Sequence, residues 1–536
     1  MTDISNIGLG SLSTSTTGSA TLGTTLFGVD VDKLIDGLVE ARSVPNLLRQ
    51  DRIDANTAKL SAYSSLQSLL TTLKSTASAL RNPSTISGAT DAFDAKQTLS
   101  RASGTIDASD LYGVSASSSA VTGSYALTIN RVAKADTISG TAVIPDTDST
   151  VLLAANGNLT LNGTAIALSN IMTLSDIRDA INDQKATTGV TASIVQAGTN
   201  DYRLVLKGSE TGKAITLSDD QAGDITTALG LAASGATDTS LSAEVVLDGV
   251  TVISKTNSLN DLIAGVSIEL YQADPGKPIS LTVDNDLSGI SESVSAFLSA
   301  YNDVVAFVKE QRAVGSDGSI SEEQVLFSDT LLQSTYRSLQ GIIGGGAIGI
   351  SAGNIKLLDD IGITLDSDGT LSVEDASKFE DALLEDFEQV RALFGFSDQA
   401  SSGLALLDRP DNLPTALVGK AVTLRVTATD GSGKPTAAEF ELDGVVTAAT
   451  ISGGFIRGAE DTAYEGLVIG YTGGAVGGTP YTGTFTLSQG IADQVAAAME
   501  KVLDADTGSL QEAKEQLTDA NTRMEDQNTR LTSQLD

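Results

Sequence analysis

Residues 46–80 read NLLRQDRIDANTAKLSAYSSLQSLLTTLKSTASAL, and their apolar spacing decides the fold. Tyr63, Leu66, Leu70, Leu73, Ala77 and Leu80 recur at intervals of three and four, which aligns them on one side of an α-helix. A second stripe lies near the other end, where Leu503, Leu510, Leu517, Met524 and Leu531 fall every seven residues. Such a repeat sets one seam of a helix against a partner helix. A chain with these helices at both extremities either brings them together or offers them to neighbouring copies, while its middle projects outward. That is the plan of an assembly subunit.

Before the long stripe, Val31, Leu34, Ile35, Leu38 and Val39 make a shorter one that Asp30 is placed to cap. Pro45 is expected to interrupt or restart the helix. Residues 1–28 are Gly, Ser and Thr with scattered Leu and Ile, and read as flexible. The helix from Asn46 to Leu80, about 50 Å long, is expected to end at Asn82-Pro83.

From Thr85 to about Asp284 the apolar period becomes two. Tyr125–Ile129, Leu204–Leu206 and Ile279–Val283 read as strands, and Asn156-Gly157, Asn162-Gly163 and Asp248-Gly249 as hairpin turns. Within this region Leu174–Ala186 reads as a short helix. Helical spacing returns at Ile290–Arg312, Gln324–Ile343 and Ser377–Phe394. A Gly-dense β block spans about Ala416–Ser488, and a last helix starts near Gly490, breaks at Gly508 and runs to Asp536. Leu247-Asp-Gly-Val250 and Leu442-Asp-Gly-Val445 share a hairpin-like tetrapeptide, too short by itself to establish a repeat.

The resulting expectation is a multidomain α+β chain with terminal helical coiled-coil legs, a helical-bundle stalk and antiparallel β-rich heads. Its parts are a flexible segment with a short helix (1–45) and a stalk helix with its lead-in (46–100) packing on a helical region (285–403). A β-rich head (101–140 and 240–284) carries an inserted β-rich head (141–239). A second β insert (404–489) and the C-terminal coiled-coil helix (490–536) follow.

Composition narrows the chemistry. The 536 residues include no Cys and no His. There is thus no thiolate nucleophile, disulfide, Cys-based zinc site, Ser-His-Asp triad or HExxH metal site. The formal charge of −35 is repelled by phosphate backbones and anionic membranes, which argues against nucleic-acid binding. No apolar run is long enough to span a bilayer, and residues 1–28 lack the basic and apolar regions of a cleaved signal. Neither a cofactor nor a metal is expected.

Three local motifs have plain readings. Gly344-Gly-Gly346-Ala-Ile-Gly349 matches GxGxxG but follows a helical segment, whereas a dinucleotide fingerprint follows a strand; it reads as a helix-to-loop connection. Asp366-Ser-Asp-Gly369 misses calcium-loop register and reads as a tight turn. The carboxylate pairs Asp359-Asp360 and Glu322-Glu323 read as solvated surface, and no catalytic residue emerges.

Three segments together resemble the flagellar hook-associated protein 2 family of filament-capping proteins. The first is Gly28-Val-Asp-Val-Asp-Lys-Leu-Ile-Asp-Gly-Leu-Val-Glu-Ala-Arg42 with Leu60-Ser-Ala-Tyr-Ser-Ser-Leu-Gln-Ser-Leu69. The second, Asn158–Asp219, is similar to a module of flagellins and hook-associated proteins, through Leu161-Asn-Gly163, Ile177–Asn182, Gly189–Ser193 and Arg203–Leu206. The third combines Leu247–Val250, Asn257–Val266, Phe297–Asn302, Ile361–Leu365 and Asp368–Ser372. Two departures are Phe27-Gly-Val-Asp, where the family more often has Ser-Gly-Leu-Asp, and a C-terminal helix shorter than is usual in relatives.

The resemblance implies a structural protein that is secreted unfolded through the flagellar type III export apparatus with its chaperone. It implies a ring-like homo-oligomer at the distal filament tip, which retains flagellin, promotes its folding and insertion, and meets hook–filament junction proteins. The expected assembly seam is Leu34, Leu38, Tyr63, Leu66, Leu70, Leu73, Leu80, Leu503, Leu510, Leu517, Met524 and Leu531. Alternatives are another flagellin-like axial subunit and a flagellar adhesin for host or surface glycans, with Tyr464, Tyr471 and Tyr481 as candidate stacking residues. A carboxylate hydrolase is the enzyme alternative.

Overall fold

The computed structural model describes residues 13–14, 20–21, 25–26, 29–81, 90–148, 150–151, 153–220, 224–351, 353–408, 413 and 416–535. Most of the segment 1–28 read as flexible, and the Asn82-Pro83 stop, lie outside the described residues. The chain divides into two compact units, 1–92 with 287–536, and 93–286.

The first unit is built on helix α1, Val31–Ser78. It packs against α2 (Leu287–Gln311) and, further along the chain, against two helices that follow the second β block. Between these lie α3 (Thr330–Gly345), α4 (Ala376–Glu385) and α5 (Phe387–Phe394). The chain closes with α6 (Ile491–Leu503) and α7 (Ser509–Leu535), separated by Asp504–Gly508 as the sequence indicates. The core of α2 comes from Val294, Phe297, Leu298, Tyr301, Val304, Val305 and Val308, all buried. Phe297 meets Phe394 edge-on at 6.4 Å.

Three helix boundaries differ from the sequence reading. Pro45 sits inside α1 and does not break it. A proline costs a helix interior about 3 kcal/mol, but Ala41, whose carbonyl loses its partner, is exposed, so water can satisfy it. The expected helix at 324–343 starts only at Thr330, because the Asp329 side chain accepts from the Leu332 amide at 3.0 Å and caps it there. The expected helix 377–394 is two helices joined at Asp386, which sits at φ −124° and ψ 35°.

The second unit begins with strands β1 (Lys96–Ala102), β2 (Tyr112–Ala116) and β3 (Gly123–Arg131). After residues 135–231 come β4 (Ala243–Leu247), β5 (Val250–Ser254), β6 (Ser258–Ile263), β7 (Val266–Leu270) and β8 (Ile279–Asn285). One antiparallel sheet runs β5-β4-β3-β8-β1 and a second β6-β7-β2. They share a core of Leu127, Ile129, Val245, Leu259, Val266, Ile268, Ile279, Leu281 and Val283. Residues 135–231 form their own core from two three-stranded sheets and the helix Leu174–Asp183, whose Thr173–Asp176 capping box fixes its start.

The later β block lies in the first unit. It comprises β9 (Phe396–Ala400), β10 (Leu404–Asp408), β11 (Ala421–Thr429), β12 (Pro435–Leu442), β13 (Val445–Ala448), β14 (Thr450–Ser452), β15 (Phe455–Arg457), β16 (Val468–Tyr471) and β17 (Tyr481–Gln489). Its sheets run β13-β12-β11-β17-β9 and β10-β16-β15-β14 around a core of Leu424, Val426, Phe440, Ile456, Leu467, Ile469, Phe485 and Leu487.

Candidate assembly interface

The seam residues fall into two populations. Tyr63, Leu66, Leu70 and Leu73 on α1, Leu80 just past its end, and Leu510 on α7 are buried within their own chain. Helix α1 packs against α2, α6 and α7, so this stripe is consumed inside the subunit. Two polar clamps accompany it. The Asp329 carboxylate accepts from the Tyr63 hydroxyl at 2.7 Å and from Lys59 Nζ at 2.7 Å, which ties α1 to the start of α3. Burial pushes this carboxyl up, yet the hydrogen bonds from Lys59, Tyr63 and the Leu332 amide outweigh it and hold it below the usual carboxylate range. At the far end Arg81 reaches Asp493 at 2.7 Å and Glu500 at 3.6 Å, and Lys74 reaches Glu500 at 3.0 Å.

The other half of α1 is different. It runs antiparallel to α7 through polar rungs, Asn56 with Asn521 at 2.8 Å, Arg49 with Asn528 at 3.3 Å and Asn46 with Thr532 at 3.3 Å; a further rung, Gln67 with Lys514 at 2.8 Å, lies beside the buried stripe. Lys514, Asn521 and Asn528 each follow a seam residue (Leu510, Leu517, Met524) by four positions, so the second line of the heptad seam is polar. Leu503, Leu517, Met524 and Leu531 are consequently only half-buried. An apolar periodicity does not register these rungs; the seven-residue spacing of Lys514, Asn521 and Asn528 is the sequence signal that marks them.

Beyond the Asn46–Thr532 rung, α1 has no partner helix among the described residues. Leu34, Leu38, Val39 and Val44 are between 41% and 56% exposed there, and Leu47 and Leu48, just inside the rung, are 62% and 65% exposed. This is the largest group of exposed apolar side chains on one helix of the described structure. Elsewhere, Tyr464 stacks on Phe440 in the β core at 4.5 Å, away from the surface expected for a glycan-stacking residue; Tyr471 and Tyr481 do meet, at 5.1 Å. Among the described residues no acidic cluster is arranged to hold a metal ion, and no helix is long and apolar enough to cross a membrane.

Residues 240–536 match the family described as flagellar hook-associated protein 2 C-terminus, and residues 27–136 match its N-terminus. The chain belongs to the flagellar hook-associated protein 2 family. Residues 156–210 match the flagellin hook IN motif, which falls on the inserted β core. The B-type flagellar hook-associated protein 2 of Pseudomonas aeruginosa is 31% identical over 308 residues, which covers 53% of this chain and 64% of that protein. The flagellar hook-associated protein 2 of Escherichia coli K12 is 28% identical over 415 residues, covering 73% of this chain and 80% of that protein. A crystal structure of the D1-D2-D3 domains of the Escherichia coli flagellar cap protein FliD is 27% identical, covers 62% of this chain and 90% of that one, and has a TM-score of 0.45. Membership in the hook-associated protein 2 family gives the chain a structural role in the flagellum and removes the enzyme reading.

Proposed function

We propose that this chain caps the distal tip of the bacterial flagellar filament as a secreted homo-oligomer, retaining exported flagellin and promoting its folding and insertion. The observation that carries the reading is the uncovered apolar stripe Leu34, Leu38 and Leu48 on α1, with Leu47 exposed on the other side of the helix. Covering a leucine contributes about 1.5–3 kcal/mol, so the stripe favours whatever docks along it, here a sister subunit or a filament subunit. The relatives' names, flagellar hook-associated and cap proteins, supply the context.

In this reading flagellin, the hook–filament junction proteins and the export apparatus with its chaperone are the partners. The adhesin alternative loses Tyr464, which belongs to the β core. The test is deletion of the gene: hooks remain, filaments are missing and flagellin accumulates unpolymerised in the medium. Full-length filaments on the deletion strain would refute capping.

A further inference from the structure

The two β blocks share one topology. Numbering the strands of each block by chain order, both five-stranded sheets run fifth-fourth-third-last-first: β5-β4-β3-β8-β1 and β13-β12-β11-β17-β9. In both, the second strand leaves to pair with the penultimate one in the other sheet, β2 with β7 and β10 with β16. The strand before the penultimate completes that sheet, β6 in one block and β15 in the other, and β14 is the single addition. Every one of these pairings is antiparallel.

Local detail repeats as well. The Asp286 amide donates to the Ala95 carbonyl at 3.0 Å, and the Gly490 amide to the Gly395 carbonyl at 2.8 Å. Each block is thus closed by one hydrogen bond between the residue before its first strand and the residue after its last. A helix starts at the next residue in both cases, Leu287 and Ile491. Ala243-Glu-Val-Val-Leu-Asp-Gly-Val250 and Ala438-Glu-Phe-Glu-Leu-Asp-Gly-Val445 agree at six of eight positions across the β4–β5 and β12–β13 turns. Asp248 and Asp443 have φ of 46° and 52°, followed by Gly249 and Gly444 at 87° and 82°. Both φ values are positive in each pair, which marks the two-residue hairpin turn that favours Asp-Gly. The second residue of each octapeptide, a Glu, meets an Arg on the neighbouring strand, Arg131 with Glu244 at 3.2 Å and Arg425 with Glu439 at 3.7 Å, and Arg425 also reaches Glu441 at 2.7 Å.

We propose that residues 396–489 are a second copy of the β module formed by 96–285, without its inserted 135–231 core, and that the equivalent outer strands β5 and β13 are the edges by which one copy of the chain joins the next. The second clause rests on the self-assembly reading above. β5 (Val-Thr-Val-Ile-Ser) and β13 (Val-Val-Thr-Ala) carry no charge and no proline, the usual protections of an open edge. Each pairs on one side only among the described residues. Val250 and Val445, directly after the shared turn, are 64% and 65% exposed, and Ile253 and Val446 are exposed beside them. In a chain of charge −35, sister copies repel over most of their surface, and these neutral edges are where they approach at least cost. Because β5 and β13 lie in different modules of one chain, a β5-to-β13 contact is head-to-tail and leaves a free edge at each end, the kind of contact that builds a ring when the rotation between copies closes and a filament when it does not.

The chain lacks Cys, so single engineered thiols report the contact cleanly. Chains carrying T251C are mixed with chains carrying T447C and treated with a short bis-maleimide, which joins two thiols as thioethers, while light scattering records assembly. The expected result is a covalent dimer in the mixture and none from either variant alone. Equal dimerisation of one variant alone, or oligomers that never cross-link in the mixture, overturns the edge contact and leaves self-assembly standing. A chain that stays monomeric at all concentrations overturns the self-assembly reading itself. The duplication is tested by deleting 396–489 and joining Gly395 to Gly490 through two glycines. The shortened chain is expected to keep a cooperative unfolding transition and helical content, and loss of both overturns the assignment of an independent module.

Discussion

The two halves of α1 follow the same heptad logic and end in opposite states. Between Tyr63 and Leu80 the apolar side chains are sealed by α2, α6 and α7, and charged clamps lock either end. Between Leu34 and Thr57 the same helix meets α7 through Asn and Arg, or meets nothing described, and its leucines face solvent. Apolar rungs supply stability, whereas polar rungs fix register at a cost in stability. One continuous helix therefore anchors the subunit with one half and presents the other.

The sharpest break in this comparison is Leu73→Ala in the sealed half. Leu73 is fully buried, and its truncation is expected to cost about 2–5 kcal/mol in urea unfolding. The same change at Leu47, which is 62% exposed, is expected to stay within about 0.5 kcal/mol.

Asp329→Ala comes next, since it leaves Tyr63 and Lys59 without their shared acceptor; a loss of about 2 kcal/mol is expected in the same assay. This carboxyl also gives a pH signature. Its folded value lies below its unfolded one, so its contribution is intact above about pH 4 and lost as pH falls through the folded value. The melting temperature of the parent chain should therefore drop on acidification, and Asp329→Asn should flatten that slope.

In the open half the sign reverses. Replacing Asn56 and Asn521 together by Leu removes a half-buried polar rung, leaves Thr57 its bond to the Ile53 carbonyl, and should stabilise the helix pair by about 1 kcal/mol. Hydrogen exchange on residues 46–57 would register it as added protection, and faster exchange would count against the polar-rung account. The smallest effect is expected at Tyr301, whose buried hydroxyl has no hydrogen-bond partner among the described residues. Tyr301→Phe should be neutral or stabilising by up to about 0.5 kcal/mol in thermal unfolding.

Periodicity made the helices legible: the three-four spacing of Tyr63–Leu80 and the sevenfold spacing of Leu503–Leu531 each mark a real helix face. Asp248-Gly249 was legible because a turn with two positive φ values accepts few residue types. Pro45 misled because a helix-breaking residue is tolerated where solvent satisfies the freed carbonyl. The polar rungs went unread because a search for apolar period ignores Asn521 and Asn528. The repeated β module was hidden for a related reason. Its turn is constrained to Asp-Gly, while its strands need only alternate, so Val245 and Phe440 serve the same place. The 135–231 core further separates β3 from β4 in sequence, while β11 and β12 are neighbours.

The most direct test of the account replaces Leu34, Leu38, Leu47 and Leu48 together by Gln and returns the gene to a deletion strain. The purified variant should unfold at the parent's temperature, because none of the four is covered in the subunit. The cells should nonetheless shed flagellin and carry hooks without filaments. Filaments of normal length on those cells, with the variant secreted at parental levels, would contradict the claim that this half of α1 is held open for assembly.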